Sequence, residues 1–212
     1  MNRRTFLIGS CALTLPEWGR ALVKPGVLSE YSQTYGEMAV RRLNAWQQLM
    51  DDISGQQEST RLAQANQFFN QLRFIDDDEQ WGSRDYWATP LEFLGRGAGD
   101  CEEFAIAKYV TLVKTGTPTS QLRITYVKAL ELNQAHMVLT WAERAGDEPL
   151  VLDNLIPQIR PASQRRDLLP VYSFNADSLW LTQGSGEKLV SDSSRVGRWQ
   201  DLRQRMSREI AL

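Results

Sequence analysis

One thiol, one imidazole and one carboxylate in this chain are of the types that act together in acyl transfer. The chain has 2 Cys and 1 His. Cys11 falls in an apolar amino-terminal stretch, which leaves Cys101 as the thiol of the folded part. An unpaired thiol in an exported protein is exposed to oxidation, and catalysis is one reason to keep it. A thiol attacks as thiolate, so its site must lower the pKa and leave the sulfur reachable. Cys101 stands where a glycine-rich segment, Gly95 to Gly99, gives way to an apolar run. A cysteine at a helix amino terminus gains from the unpaired backbone N–H groups and the dipole there. Its own N–H can also bind the oxyanion of a tetrahedral intermediate. His136 is the available base. Asp153, at the end of the following apolar stretch, can fix the imidazole tautomer and stabilise the imidazolium. The plain alternatives are a structural histidine and a cysteine serving as a small buried hydrophobe.

Acids crowd the thiol. Asp100, Glu102 and Glu103 flank Cys101, and like charge beside a thiol raises its pKa. Asp100 as N-cap with Glu103 three residues on is a capping box, and Glu102 suits the helix dipole. A divalent cation would offset the same charge, and carboxylate oxygens suit Ca²⁺. Both roles are compatible. Asp76-Asp77-Asp78-Glu79 reads as a solvated acidic loop. Trp81, Tyr86 and Trp87 precede the nucleophile and are candidates for a second oxyanion donor, with core packing expected for at least two of them.

Hydrophobic spacing says how these groups are carried. Ser29 to Ile53 and Ser59 to Leu72 have helical periods and read as an antiparallel pair. Thr89-Pro90 opens a short helix through Leu94, with Thr89 as cap, and Gly95 to Gly99 reads as a flexible turn. Cys101 to Lys114 is apolar nearly all round, which predicts a helix at the centre of the domain. Arg123 to Leu130 and Ala135 to Trp141 alternate and predict a β-hairpin, with Leu150 to Asp153 as a third strand. Val171 to Phe174 and Leu179 to Leu181 are further short strands, and Arg195 to Arg208 reads as a surface helix. The expected class is α+β: amino-terminal helices packed with an antiparallel sheet.

The chain has 212 residues, 42% hydrophobic and 24% charged, enough for one domain with a real core. A net charge of −2 gives no reason to expect nucleic acid as a partner. No apolar run reaches the length of a transmembrane helix. Basic Met1 to Arg4 followed by uncharged Thr5 to Leu15 has the form of an export signal, with Ala21 a candidate cleavage site. The paired arginines resemble a twin-arginine signal. The domain organisation is therefore an export segment over 1–21 and one domain over 22–212. That domain is helical over 28–115 and sheet-rich over 121–182, with a carboxy-terminal helix over about 195–208.

The stretch from Asp85 to Tyr109 (DYWATPLEFLGRGAGDCEEFAIAKY) resembles the signature of the bacterial transglutaminase-like cysteine proteases of the LapG type. Ala135 to Leu139, Val151 to Asn154, Tyr172 to Asn175 and Leu179-Trp180 are similar too, so the likeness runs from about Tyr31 to Leu181. The resemblance implies a papain/transglutaminase-like core and a triad of Cys101, His136 and Asp153. It also implies calcium held by Asp100, Glu102 and Glu103, although members of the family often carry Asp where this chain has Glu103. It further implies a periplasmic endopeptidase that cuts a large surface adhesin near its amino-terminal retention module, at a dialanine-like site. Such cleavage releases the adhesin and disperses biofilm. An inner-membrane cyclic-di-GMP receptor that sequesters the protease is the implied regulator. A glutamine transferase with the same acyl-enzyme, and a non-enzymatic binding module on this fold, are the rival readings.

Overall fold

The computed structural model describes residues 22–24, 26–183 and 186–211. The expected export segment and Cys11 lie outside the described residues. Helix α1 (Val27–Ile53) buries Ala39, Leu43, Trp46, Met50 and Ile53 on one stripe. It is broken at Gly36, whose φ of 77° no helix accommodates, so α1 is two helical pieces joined end to end. Helix α2 (Glu58–Phe69) packs back on α1 through Leu62, Ala65 and Phe69.

Two corrections follow along the chain. The acidic run is not a solvated loop: Asp77–Trp81 forms a short helix, α3, and Asp77 is buried. The glycine-rich segment is not a flexible turn either. Gly95 and Arg96 complete helix α4 (Pro90–Arg96), which Thr89 caps as expected, and Gly97 ends it in the left-handed region at φ 70°. Ala98–Gly99 (β2) then pairs in parallel with Arg73–Phe74 (β1), and both residues of β2 are buried. A side chain at Gly99 would begin 2.9 Å from both Phe93 and the Glu103 carboxylate, so glycine there permits close approach.

Helix α5 (Cys101–Lys114) has the expected bounds and lies at the centre, with Phe104, Ile106, Tyr109, Val110 and Leu112 buried. It packs on a seven-stranded, wholly antiparallel sheet: β3 (Leu122–Ala129), β4 (Gln134–Trp141), β5 (Leu150–Leu152), β6 (Arg160–Pro161), β7 (Leu168–Phe174), β8 (Ser178–Gln183) and β9 (Gly186–Asp192), in the order β6-β5-β4-β3-β7-β8-β9. Ile124, Met137, Leu139, Leu152 and Phe174 face α5 in the main core. Val127, Val138 and Val151 form a smaller cluster on the other face. Strands β6 and β9 extend the sheet beyond the expected set.

Helix α6 (Gly197–Glu209) is more than a surface helix. It buries Trp199, Leu202 and Met206 in the main core, and the Trp199 ring sits 5.7 Å from Tyr109 and 5.4 Å from Phe174. Its Arg205 binds Glu92, the Tyr86 hydroxyl and the Trp87 carbonyl, tying the carboxy terminus to the chain that leads into the nucleophile. The α+β class holds.

Candidate active site

The capping box expected at the start of α5 is formed. Asp100 accepts the Glu102 N–H at 3.3 Å, and Glu103 accepts the Asp100 N–H at 2.9 Å. The second oxygen of Glu103 accepts the Ala88 N–H at 2.7 Å, which pins the 85–88 segment to the helix start. Cys101 is half-buried at the first helical position, and its thiol donates to the Glu102 carboxylate at 2.8 Å. Burial, reinforced by the negative charge of Glu102 and Asp100, pushes the Cys101 thiol well above its ordinary value. A backbone hydrogen bond from Met137 works in the opposite direction. The helix terminus alone therefore does not make this sulfur a thiolate; the acids must first be offset.

His136 and Asp153 meet as the sequence predicts. Imidazole Nε2 lies 2.8 Å from Asp153 Oδ1, and both side chains are buried. The same Oδ1 accepts the Leu155 N–H at 3.1 Å, while Oδ2 accepts from Arg165 Nη2 at 2.6 Å. Burial by itself would raise the Asp153 carboxyl, but hydrogen bonds from His136 and Arg165 prevail and hold it at about 2. Since Nε2 is engaged with the carboxylate, Nδ1 is the nitrogen left to meet a thiol.

The third leg is less direct. His136 is the cross-strand partner of Val127, on the side of the sheet carrying Val127 and Val138, whereas Met137 faces α5. The sulfur reaches β4 at the Met137 backbone, one residue from His136. Among the described residues no hydrogen bond joins Sγ to the imidazole; the thiol donates to Glu102 instead.

The expected metal ligands divide into two overlapping groups. Asp100, Cys101 and Glu102 form one; Asp77, Asp100 and Glu103 form the other, and in each the donor atoms lie within 4.8 Å of one another. Asp77 is the residue that the sequence reading missed. Asp76, Asp78 and Glu79 look the same in the sequence, and only the short helix shows which of the four turns inward. One Asp77 oxygen accepts the Tyr86 N–H; the other, Oδ1, is buried with no hydrogen-bond partner among the described residues. Burial, and next the charge of Asp100, lift Asp77 to about 7. Burial and Glu102 lift Asp100 to about 8, and burial with Asp100 raises Glu103 well above the carboxylate range. Three hard oxygen donors, two on buried residues and one on half-buried Asp100, with one oxygen lacking a partner among the described residues, suit Ca²⁺.

Of the three aromatics, Trp87 stacks on Phe174 at 5.7 Å and donates to Asp85, and Tyr86 donates to Glu92. Trp81 Nε1 is a buried donor with no hydrogen-bond partner among the described residues. A cavity of about 480 Å³ opens on the sheet face away from α5, against Val127, Val138 and Thr140. A smaller one of about 330 Å³ lies between Trp87, Tyr172, Leu179, Leu181 and Arg198. Tyr172 stacks on Tyr126, the cross-strand partner of Met137.

Comparison with known proteins agrees with this geometry. Residues 30–180 match the model of a family described as bacterial transglutaminase-like cysteine proteinase. Among solved structures, LapG of Legionella pneumophila is similar at 44% identity and a TM-score of 0.74, covering 85% of this chain and 97% of that one. A calcium-bound form of the same protein matches at 45% identity and a TM-score of 0.74, and an EGTA-treated form at 44% and 0.76, each with the same coverage. No curated protein sequence matches.

Proposed function

The chain belongs to the bacterial transglutaminase-like cysteine proteinases, and on that premise we propose that it is an endopeptidase using Cys101, His136 and Asp153. The observation that carries the reading is the buried pair of His136 on β4 and Asp153 just past β5, with His136 one residue from the Met137 backbone that meets the Cys101 sulfur. When the thiol turns from Glu102 to Nδ1, His136 takes its proton as sulfur attacks the scissile carbonyl. The Cys101 N–H faces the developing oxyanion. The imidazolium, held by Asp153, gives that proton to the leaving amine, and a thioester remains. His136 then draws a proton from water, hydroxide adds to the thioester carbonyl, and the released thiolate recovers the proton.

Calcium, when bound by Asp77, Asp100 and Glu103, with Glu102 beside them, supplies positive charge next to a thiol that these acids otherwise keep protonated. That a close structural relative is known both calcium-bound and EGTA-treated supports this ligand.

The reading extends to an exported, periplasmic enzyme that cuts a large surface adhesin in its amino-terminal region, releasing it and dispersing biofilm, under control of an inner-membrane cyclic-di-GMP receptor. The Met1 to Leu15 pattern supports export, and the resemblance to the LapG type supports the substrate and the regulator. The test is incubation of the adhesin amino-terminal fragment with wild type, Cys101→Ala, and wild type plus chelator. Cutting by wild type alone is expected. Equal cutting by Cys101→Ala would remove the thiol from the mechanism, and incorporation of a fluorescent amine without chain cleavage would mark a transferase.

A further inference from the structure

Asp153 has a second buried partner. The Arg165 guanidinium lies 2.6 Å from Asp153 Oδ2, with 1% and 0% of the two side chains exposed. We propose that Arg165 is a positioning residue: it takes one oxygen of Asp153, leaves the other to His136, and so sets the orientation and basicity of the imidazole. The inference rests on the triad reading above.

The division of the carboxylate is complete. Oδ2 faces Arg165, and Oδ1 faces His136 and the Leu155 N–H. Rotation of the carboxylate would break all three bonds at once. Arg165 is fixed in turn: Asp167 accepts from its Nε at 3.0 Å and from its Nη2 at 2.7 Å. Its backbone is held on both sides, N–H to the Ala162 carbonyl and C=O from the Leu168 N–H, where the chain turns into β7. A buried arginine with this much support has little freedom to leave Asp153 during a reaction.

The charge matters as much as the geometry. The charged groups that meet the pair are Arg165 and Asp167 from the turn before β7, and Lys108 from α5. Lys108 is fully buried, with no hydrogen-bond partner for its Nζ among the described residues; burial lowers it to about 7, partly opposed by Asp153. A carboxylate shared with a guanidinium presents less negative potential to the imidazole than an unpaired one. The neutral imidazole is the form that can accept the thiol proton.

The chain has 1 His, so NMR of the imidazole reports on His136 without ambiguity. The test is the histidine titration midpoint, together with kcat and KM on the adhesin fragment, for the calcium-loaded full chain and for Arg165→Met, Arg165→Lys and Asp167→Asn. In Arg165→Met the midpoint should rise by about one pH unit. Its kcat should fall by at least about tenfold with KM changed by less than about twofold. Arg165→Lys should recover part of both, and Asp167→Asn, which removes a negative charge beside the guanidinium, should lower the midpoint by less than Arg165→Met raises it. A folded Arg165→Met with unchanged midpoint and kcat overturns the proposal. If Arg165→Met does not fold, unchanged midpoints in both Arg165→Lys and Asp167→Asn overturn it. A wild type that neither cuts the fragment nor labels at Cys101 would defeat the triad reading, while the histidine midpoints would still decide the role of Arg165.

Discussion

Replacing Asp77 by Asn probes the acidic cluster with minimal change of shape. In the absence of calcium the carboxylates of Asp77, Asp100 and Glu103 stand within 4.8 Å of one another. Two like charges at that distance repel by about 3 kcal/mol at an effective dielectric of about 20. The amide oxygen can still accept the Tyr86 N–H that Asp77 now holds. Calcium-free Asp77→Asn should therefore be more stable than calcium-free wild type, by about 1–3 kcal/mol once proton uptake and rearrangement soften the gain. Calcium moves the balance towards wild type. At about one hundred times the dissociation constant, wild type gains about 2.7 kcal/mol by linkage. For a chain of this size that is a rise in Tm of roughly 5–11 °C. Asp77→Asn, lacking one anionic oxygen donor, should show less than half of that rise at the same calcium concentration. Thermal unfolding in EGTA and across a calcium titration measures both effects. A calcium-dependent rise identical in wild type and variant would show that Asp77 is not a ligand. A wild type whose Tm ignores calcium would refute the whole assignment of the cluster.

Three further outcomes are expected. Burial, and to a lesser degree Glu92, raise Glu209 from 4.5 to about 7, and one of its oxygens is buried with no hydrogen-bond partner among the described residues. A raised carboxyl contributes stability that is complete below its unfolded pKa and lost as pH rises through the folded one. Wild type should thus lose about 1–2 kcal/mol between pH 4.5 and 8 that Glu209→Gln does not, as denaturant melts at both pH values will show. Trp199→Ala should cost about 3–5 kcal/mol, because that ring is 1% exposed against Tyr109 and Phe174; a loss under about 1 kcal/mol would return α6 to the status of a surface helix. Gly95→Ala should cost about 1–3 kcal/mol, since its Cβ would start 2.7 Å from the Tyr35 ring, and unchanged stability would mean that the α1–α4 contact is looser than it looks.

The parts of this molecule that were legible in the sequence are those where local signals agree. Helix α5 is apolar all round and opens with an Asp-to-Glu capping box, so its bounds followed directly. The β3–β4 hairpin alternates, and its two strands pair along their whole length. What escaped notice depends on tertiary contact. Asp77 is buried by a short helix that its neighbours make, not by any periodicity of its own. Ala98 and Gly99 look like loop residues until Arg73 and Phe74, distant in the chain, pair with them. Arg165 lies in a basic, polar stretch and gains its meaning only from the carboxylate it meets. The triad falls between these cases. The residue types named Cys101, His136 and Asp153, and the fold joins the last two, but the sulfur contacts the Met137 backbone and Glu102, and no hydrogen bond among the described residues joins it to the imidazole.

The covalent state of Cys101 during turnover tests the central claim most directly. Mass spectrometry of calcium-loaded protein quenched while cutting the adhesin fragment should find a thioester of the amino-terminal product on Cys101, and none in His136→Ala. Cleavage that proceeds with Cys101 unmodified, or an acyl group carried on any other residue, would contradict it.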